Sequence, residues 1–302
     1  MIGNLSTQIN LLLTVCLMSG LVGTGIMVLG WPQTEAIQTL IYSHPFVVWV
    51  TLVCILFVLL PIAFLDGVLE LKRLYAATFP KVSVNILWFF LIAVGLFCLP
   101  LAVIRQSPRL FPEYIATLES RMDAVVISCI LAILPSLLGL SVLVHTVHEL
   151  SPDRTNFTSR YFDARKSLNG FVLAVGSIIG IGTLATGGCQ QTLQAHADAG
   201  FISFAFPPEL TVLFGAYHSF VLLMLSFPVE VLLHEKGTQF VEQSVPVPPV
   251  NSSGWAESCS LRQQVRDFFG LKSNILSQIR VSFGKLTPLI GGLLAYLLPI
   301  AS

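Results

Sequence analysis

HPFVVWVTLVCILFVLLPIAFL, residues 44–65, contains no Asp, Glu, Lys or Arg. An α-helix needs about 20 such apolar residues to cross a hydrocarbon core of about 30 Å. A helix also satisfies its own backbone hydrogen bonds, which lipid requires of any segment that it surrounds. This stretch is therefore predicted to be a transmembrane helix.

Five further stretches have the same character, so we predict an all-α, polytopic transmembrane helical bundle over residues 1–236. The six predicted spans lie near 9–31, 44–65, 83–104, 122–145, 169–188 and 208–233. The mean hydropathy of the chain is +0.81, and only 11% of its residues are charged. The terminal segment 284–302 holds a shorter apolar stretch, 285–301, with Pro288 and Pro299. It is predicted to span, to re-enter the membrane or to lie in a groove.

The basic residues of the loops predict the orientation, because cytoplasmic loops are enriched in Lys and Arg. Loops 32–43 and 189–207 have neither residue, whereas loops 66–82 and 146–168 contain both. The N-terminus is therefore predicted to be cytoplasmic. Loop 105–121 is the one exception to the rule, because it contains arginines although the alternation of spans places it outside. We expect an integral membrane protein of the bacterial cytoplasmic membrane.

Two predicted hairpins, spans one and two and spans five and six, each begin with a glycine-rich helix. Small residues let helices approach closely in lipid, where van der Waals packing is a main source of association. The hairpins form a possible repeat, and their glycines are predicted to pack against helices within the chain or between subunits. These glycines are Gly20, Gly23 and Gly25 in the first hairpin and Gly176, Gly180 and Gly182 in the other.

The sixth predicted span is followed by a change of composition. Residues 237–259 include VPVPPVNSSG and are predicted to be a cytoplasmic Pro/Ser linker. Residues 260–283 then place apolar side chains at roughly helical spacing, interleaved with Arg262, Arg266, Lys272 and Arg280. This pattern predicts a basic amphipathic helix, interrupted at Gly270, at the cytoplasmic membrane surface. It is either a docking helix for a partner or an interfacial helix that leads into the last apolar stretch.

Ionisable residues inside predicted spans are the candidates for chemistry, because burying them in lipid is costly. His218 lies about ten residues into the sixth span, where an imidazole could relay protons or bind an ion or solute. Glu209 and Glu230 lie near the two ends of the same span. These three residues are the candidates for an ion or solute pathway.

A metal site is a weaker hypothesis, carried by three histidines near the cytoplasmic ends of two spans. His145 and His148 share one helix face, and His234 ends the sixth span at a similar depth. No catalytic motif is found, and no cofactor or catalytic residue is predicted. A formal net charge of zero argues against binding to nucleic acid.

Residues 168–188 read LNGFVLAVGSIIGIGTLATGG and are followed by an outer turn, a proline and an apolar helix with Phe-Pro near its inner end. Residues 168–236 resemble the first transmembrane hairpin of flagellar stator channel subunits of the MotA/PomA kind, and residues 11–73 resemble it more loosely. The matching residues are Gly187, Gly188, Pro208, Gly215, Phe227 and Pro228.

The resemblance implies a helical scaffold that packs in an oligomer. This chain lacks the large cytoplasmic torque domain of stator subunits and any counterpart of the helices that line their proton path. Neither ion conduction nor a catalytic residue is therefore carried over to this chain.

Three functions follow as hypotheses. The first is a non-enzymatic integral membrane subunit of a larger assembly, linked to ion flow if the stator resemblance holds, with other subunits or copies of itself as partners in the bilayer. The second is a channel or transporter for a small solute with His218 at its site. The third is a lipid-modifying membrane enzyme that uses the histidines of the cytoplasmic face.

Overall fold

The computed structural model describes residues 2–31, 34–78, 84–106, 113–152, 155–201, 207, 209–250, 254–271 and 275–297. Within these ranges the chain is helical and contains no strand. The helices are α1 (Ile2–Val28), α2 (Glu35–Ile41), α3 (His44–Thr78), α4 (Val84–Gln106), α5 (Glu113–His148), α6 (Phe157–Asp198), α7 (Glu209–Ser244), α8 (Trp255–Phe268) and α9 (Ile275–Leu297). Lys272, Pro208 and Pro299 lie outside the described residues.

Five of these helices contain stretches that are long and apolar enough to cross a membrane. The stretches are Asn10–Val28, His44–Tyr75, Ser120–His148, Phe157–Asp198 and Glu209–Ser244. Shorter apolar stretches occur at Val84–Leu99 and Lys285–Leu297. The predicted all-α, membrane-spanning class is confirmed by the length and composition of these helices, while the number of crossings and the orientation stay predictions.

The distribution of polar side chains fits a bundle that lipid surrounds. Large apolar side chains of α1 point outwards, and Leu11, Leu17 and Leu21 are each more than half exposed. Small hydroxyl residues are instead buried between helices, as Ser136 and Thr183 are. Because lipid tails are as apolar as leucine, sorting apolar residues inwards gives no advantage in a bilayer.

The long helices extend well beyond the predicted spans. Helix α6 has 42 residues, which corresponds to about 63 Å, twice the thickness of a hydrocarbon core. It begins at Phe157, about 18 Å before the predicted start of its span at residue 169. The sequence SRYFDARKS at 159–167 is polar but contains no helix breaker, so the helix continues through it.

The relative directions of α3, α6 and α9 follow from contacts at two heights along each pair of helices. Gly188 of α6 lies against Trp49 of α3, while Asp163 of α6 binds Arg73 at the other end of α3, so the two helices are antiparallel. Helix α9 runs parallel to α6, since Gly180 contacts Thr287 and Gly187 contacts Ala295.

The segment between α7 and α9 is more helical than its composition suggests. Residues 237–244 of the predicted linker belong to α7, and residues 255–259 belong to α8, which leaves 245–254 as the connection. Helix α8 ends at Phe268 and is followed by Gly270, whose φ of +65° suits glycine. The predicted interruption at Gly270 therefore lies between two separate helices.

Candidate functional site

Helices α6, α7 and α9 pack closely at their junction, and glycines make this packing possible. A Cβ atom at Gly180 of α6 would lie 2.6 Å from the methyl carbon of Thr287 on α9. A Cβ atom at Gly292 of α9 would lie 2.9 Å from the carbonyl oxygen of Thr211 on α7. The backbone of α9 is thus in direct contact with both neighbouring helices.

Two further glycines bring backbone against backbone in the same junction. A Cβ atom at Gly215 would lie 3.0 Å from the carbonyl carbon of Pro288, and one at Gly291 would lie 3.2 Å from that of Gly180. Contacts of this kind cannot relax by a side-chain rotation. The described part of the last apolar stretch, to Leu297, packs between α6 and α7, and which of its three predicted placements it takes in the membrane stays a prediction.

Polar side chains also connect the three helices. The backbone N–H of Leu289 donates to the hydroxyl of Ser219 at 3.0 Å. The amide of Gln191 donates to the carbonyl of Ala295 at 3.2 Å. The hydroxyl of Thr211 donates to Gln190 at 2.7 Å. The first two bonds lie at different heights along α9 and fix its register against α7 and α6. The third joins α7 directly to α6.

An ion pair between Lys285 and Glu230 closes the junction near its predicted cytoplasmic end. The ammonium of Lys285 donates to the carboxylate of Glu230, and the lysine side chain is only 4% exposed. From the sequence, Lys285 is one of the basic residues after the sixth span, and Glu230 is a candidate pathway residue. In the sequence, Lys285 begins the last apolar stretch, and Glu230 lies near the end of the sixth predicted span. Opposite charges at the ends of two apolar stretches are the sequence feature that indicates this pair.

The three candidate pathway residues lie on one helix but far apart. Glu209 is exposed in the first turn of α7, and His218 follows about 14 Å further along the helix axis. Glu230 lies about 18 Å beyond His218 and is paired with Lys285. The structure therefore does not bring these residues together into one site.

His218 is buried among aromatic rings. Its Nδ1 atom lies 2.9 Å from the carbonyl oxygen of Phe214 on the same helix. Its ring is stacked on Phe97 of α4, with 5.7 Å between the ring centroids. The neighbouring Tyr217 donates to the carbonyl of Leu96 at 2.7 Å. The contacts of His218 and Tyr217 therefore join α7 to α4.

The six predicted packing glycines differ in what they contact. A Cβ atom at Gly20 would lie 2.8 Å from Val58, and one at Gly23 would lie 2.5 Å from Phe57, both on α3. Gly180 contacts α9, and Gly176 is buried. Gly182 has open space where a Cβ atom would be, and Gly25 meets only Leu29 of its own helix. The glycines of α1 therefore pack on α3, the second helix of their own hairpin, whereas Gly180 of α6 packs on α9, outside its hairpin. The repeat stays a prediction.

The three histidines of the metal hypothesis do not form a ligand cluster. His145 lies 3.6 Å from Glu149, which directly follows the end of α5, while His148 and His234 are exposed. Among the described residues, no group of three or more His, Cys, Asp or Glu side chains has the spacing to hold a metal ion.

An aromatic cluster lies beyond the predicted cytoplasmic ends of the spans. Phe269, which directly follows α8, is 2% exposed and packs against Phe157 and Tyr161 of α6 and Phe240 of α7. Its carbonyl accepts a hydrogen bond from Arg165 at 2.7 Å. The sequence assigned the apolar residues of this segment to the membrane surface and did not predict that they pack on α6 and α7.

Helix α8 itself contributes no buried side chain to the structure. Arg262 pairs with Glu242 of α7 at 3.0 Å on its inner face. Leu261 and Phe268, seven residues apart on the same side, are 50% and 64% exposed. Leu261 and the outer part of Phe268, whose ring also meets that of Phe162 of α6 edge-on with 5.1 Å between the centroids, form an exposed apolar stripe on α8.

No family model matches the chain, and the comparisons with curated proteins and with solved structures found no match. The resemblance to stator channel subunits stays a prediction. The fold and the contacts of the junction define this chain as a helical membrane protein, and its function has to be argued from its surfaces.

Proposed function

We propose that the protein is a non-enzymatic integral membrane subunit that works within a larger assembly. The observation that carries this proposal is the exposed apolar stripe of α8, formed by Leu261 and Phe268. A helix that is held at one end and exposes an apolar stripe resembles the anchor helices by which proteins dock into grooves of their partners.

The position of α8 favours a protein partner over lipid. Its C-terminal end packs against Phe157, Phe162 and Phe240, which lie about 10–18 Å along α6 and α7 from the predicted span ends at residues 169 and 233. The region between the hydrocarbon core and the aqueous phase is only about 5–8 Å thick on each side. A helix at this distance lies in the cytoplasm, where an exposed apolar stripe marks an interaction site.

The interior of the bundle supports a structural role. His218 is engaged with a backbone carbonyl and with aromatic rings, and Lys285 is engaged with Glu230. The only candidate residue at mid-membrane is thus part of the packing between α4 and α7. A transporter would instead require polar groups that converge on a solute.

The proposal includes a topology of seven crossings with the N-terminus in the cytoplasm. The alternating directions of the helices support it, because α9 runs parallel to α6 and antiparallel to α7. We place the protein in the cytoplasmic membrane of a bacterium. Reporter fusions after α1, α7 and α9 and fractionation of the cells test these two statements.

The test of the proposed function is affinity purification in a mild detergent, followed by native mass spectrometry. We expect a defined complex with further protein chains or further copies of this chain. The Leu261→Glu variant is expected to lose this complex, because it places a charge in the apolar stripe. Ser260→Glu is the matched control, since it adds the same charge at an exposed neighbouring position.

A chain that purifies alone in its unaltered form contradicts the proposal. Equal complex formation by both variants contradicts the role of α8. The link to ion flow that the stator resemblance implies is tested by flux into vesicles that contain the purified complex.

A further inference from the structure

A cleft of about 600 Å³ opens on the lipid-facing side of the bundle, between α1, α3 and α5. Residues 11–19 of α1, 57–65 of α3 and 128–132 of α5 contribute its walls. Ser19 and Ser128 are its hydroxyl-bearing residues, and they donate to the carbonyls of Phe57 and Ala124 at 2.7 and 2.8 Å. Their hydrogens are thus already used, and the cleft suits an apolar ligand.

Among the described side chains of α1, which begin at Asn10, the close contacts with α3 and α5 lie at Ser19 and beyond it, and the cleft lies beside the residues that precede them. Gly20 and Gly23 hold α1 close to Phe57 and Val58 of α3. At the far end, Arg121 of α5 donates to the carbonyl of Leu29 at 2.6 Å. The preceding part of α1 lines the cleft instead of closing on α5. Residues 11–19 of α1 and 57–65 of α3 lie in the predicted cytoplasmic halves of their spans, while the α5 wall lies near the middle of its span, so we place the opening in the cytoplasmic leaflet.

The size of the cleft indicates what can fill it. The cleft extends from Leu11 to Ser19, about 12 Å along α1, so its volume of about 600 Å³ gives a mean cross-section of about 50 Å². An α-helix 10–12 Å wide has a cross-section of roughly 80–110 Å². A hydrocarbon chain, with carbon atoms in contact at about 4 Å, needs only about 20 Å². One or two acyl chains fit the cleft, and a helix does not.

A charged residue lies on the same side of α3 as the cleft. Lys72 follows Leu65 by seven residues, which places it on the same helix face and about 10 Å closer to the cytoplasm. Its side chain is exposed. The adjacent Arg73 is directed elsewhere, since it pairs with Asp163 of α6 and with Glu70.

We propose that this cleft binds an anionic glycerophospholipid of the cytoplasmic leaflet. Its acyl chains lie in the cleft between α1, α3 and α5, and its phosphate contacts the ammonium of Lys72. The predicted span of α3 ends at residue 65, about 10 Å before Lys72. Because a helical side chain leans toward the N-terminal end of its helix, the long side chain of Lys72 extends back from there to the headgroups. This proposal does not depend on the proposed role as a subunit.

The test is native mass spectrometry of the purified full-length chain, titrated with equal amounts of phosphatidylglycerol and phosphatidylcholine. We expect the unaltered chain to retain one lipid tightly and to prefer phosphatidylglycerol about fivefold, the effect of one basic residue near the membrane surface. Leu12→Trp is designed to fill the cleft and is expected to reduce retention at least fivefold. Leu13→Trp is the matched control, because Leu13 is exposed on α1 but does not line the cleft.

Two further variants keep the test decisive. Leu131→Trp fills the cleft from α5, where Leu131 is 55% exposed, and serves if Leu12→Trp fails to fold. Lys72→Gln is expected to retain lipid but to lose the preference for phosphatidylglycerol, whereas the exposed Lys166→Gln on α6 is expected to keep it.

Equal lipid retention by the tryptophan variants at positions 12 and 13 overturns the proposal. So does an unaltered chain that binds no lipid in the titration. A photocrosslinker at position 12 that captures another protein chain in place of lipid also overturns it, and assigns the cleft to a partner helix.

Discussion

Replacement of Gly291 by alanine is expected to loosen α9 from α6. A Cβ atom at position 291 would overlap the carbonyl oxygen of Gly180 and would lie 3.2 Å from its carbonyl carbon and 3.4 Å from its Cα atom. All three atoms belong to the backbone, so the contact can be relieved only if one helix moves. The shift would also disturb the hydrogen bond between Leu289 and Ser219.

The expected cost follows from two opposing effects. Overpacking of a well-packed contact costs about 1–3 kcal/mol. Alanine is better than glycine in a helix by about 1 kcal/mol. A net destabilisation of about 0–2 kcal/mol is therefore expected for Gly291→Ala, whereas a glycine-to-alanine change without a clash should stabilise. The control is Gly182→Ala, where nothing lies within 4 Å of the new Cβ atom and the helix preference alone should raise stability by up to about 1 kcal/mol.

The assay is reversible unfolding in mixed detergent micelles, read by circular dichroism for both variants and the unaltered chain. Accessibility of a cysteine introduced at Thr287 reports separately whether α9 has moved from α6. If Gly291→Ala is as stable as Gly182→Ala, the backbone contact between α6 and α9 is not as close as described, and the reasoning fails.

Three further predictions concern contacts that hold other helices in place. Glu230→Gln is expected to cost about 3 kcal/mol in the same unfolding assay, because it leaves the buried ammonium of Lys285 without its carboxylate, and addition of Lys285→Met should restore most of the loss. Ser19→Ala removes the hydrogen bond to the carbonyl of Phe57 and is expected to cost about 1 kcal/mol, because Pro61 has no N–H to donate to that carbonyl within α3. In a double-mutant cycle, Pro61→Ala restores this helical donor and should cancel the effect of Ser19→Ala. Arg121→Met removes the donors to the end of α1 and is expected to speed amide hydrogen exchange at residues 24–29; unchanged exchange would contradict this role.

Much of the helical architecture could be predicted from the sequence, because lipid imposes simple requirements on length and polarity. The spans near 44–65 and 122–145 lie within α3 and α5 as expected. The lengths of the helices were underestimated, because hydropathy marks where a helix leaves the lipid and carries no information about where it ends. The extension of α6 back to Phe157 is the clearest case.

The contacts within the bundle could be predicted only in part. Glycines at 180 and 182 look equivalent in sequence, yet only the first faces α9. Which face of a helix meets a neighbour depends on residues far away in the chain, such as Thr287. The pairing of Glu230 with Lys285 was missed for the same reason, since 55 residues separate the two charges.

The position of α9 has a consequence for how the protein is made. Helices α6 and α7 are synthesised first, and the ribosome must add 53 more residues after Ser244 before Leu297 emerges. At about 5–20 residues per second, the groove that α9 will fill stays open for roughly 3–10 s. During that time the small residues of α6 and α7 face lipid or the insertion machinery. A slow stretch of codons in this region would prolong the exposure and give quality-control proteases more time to act.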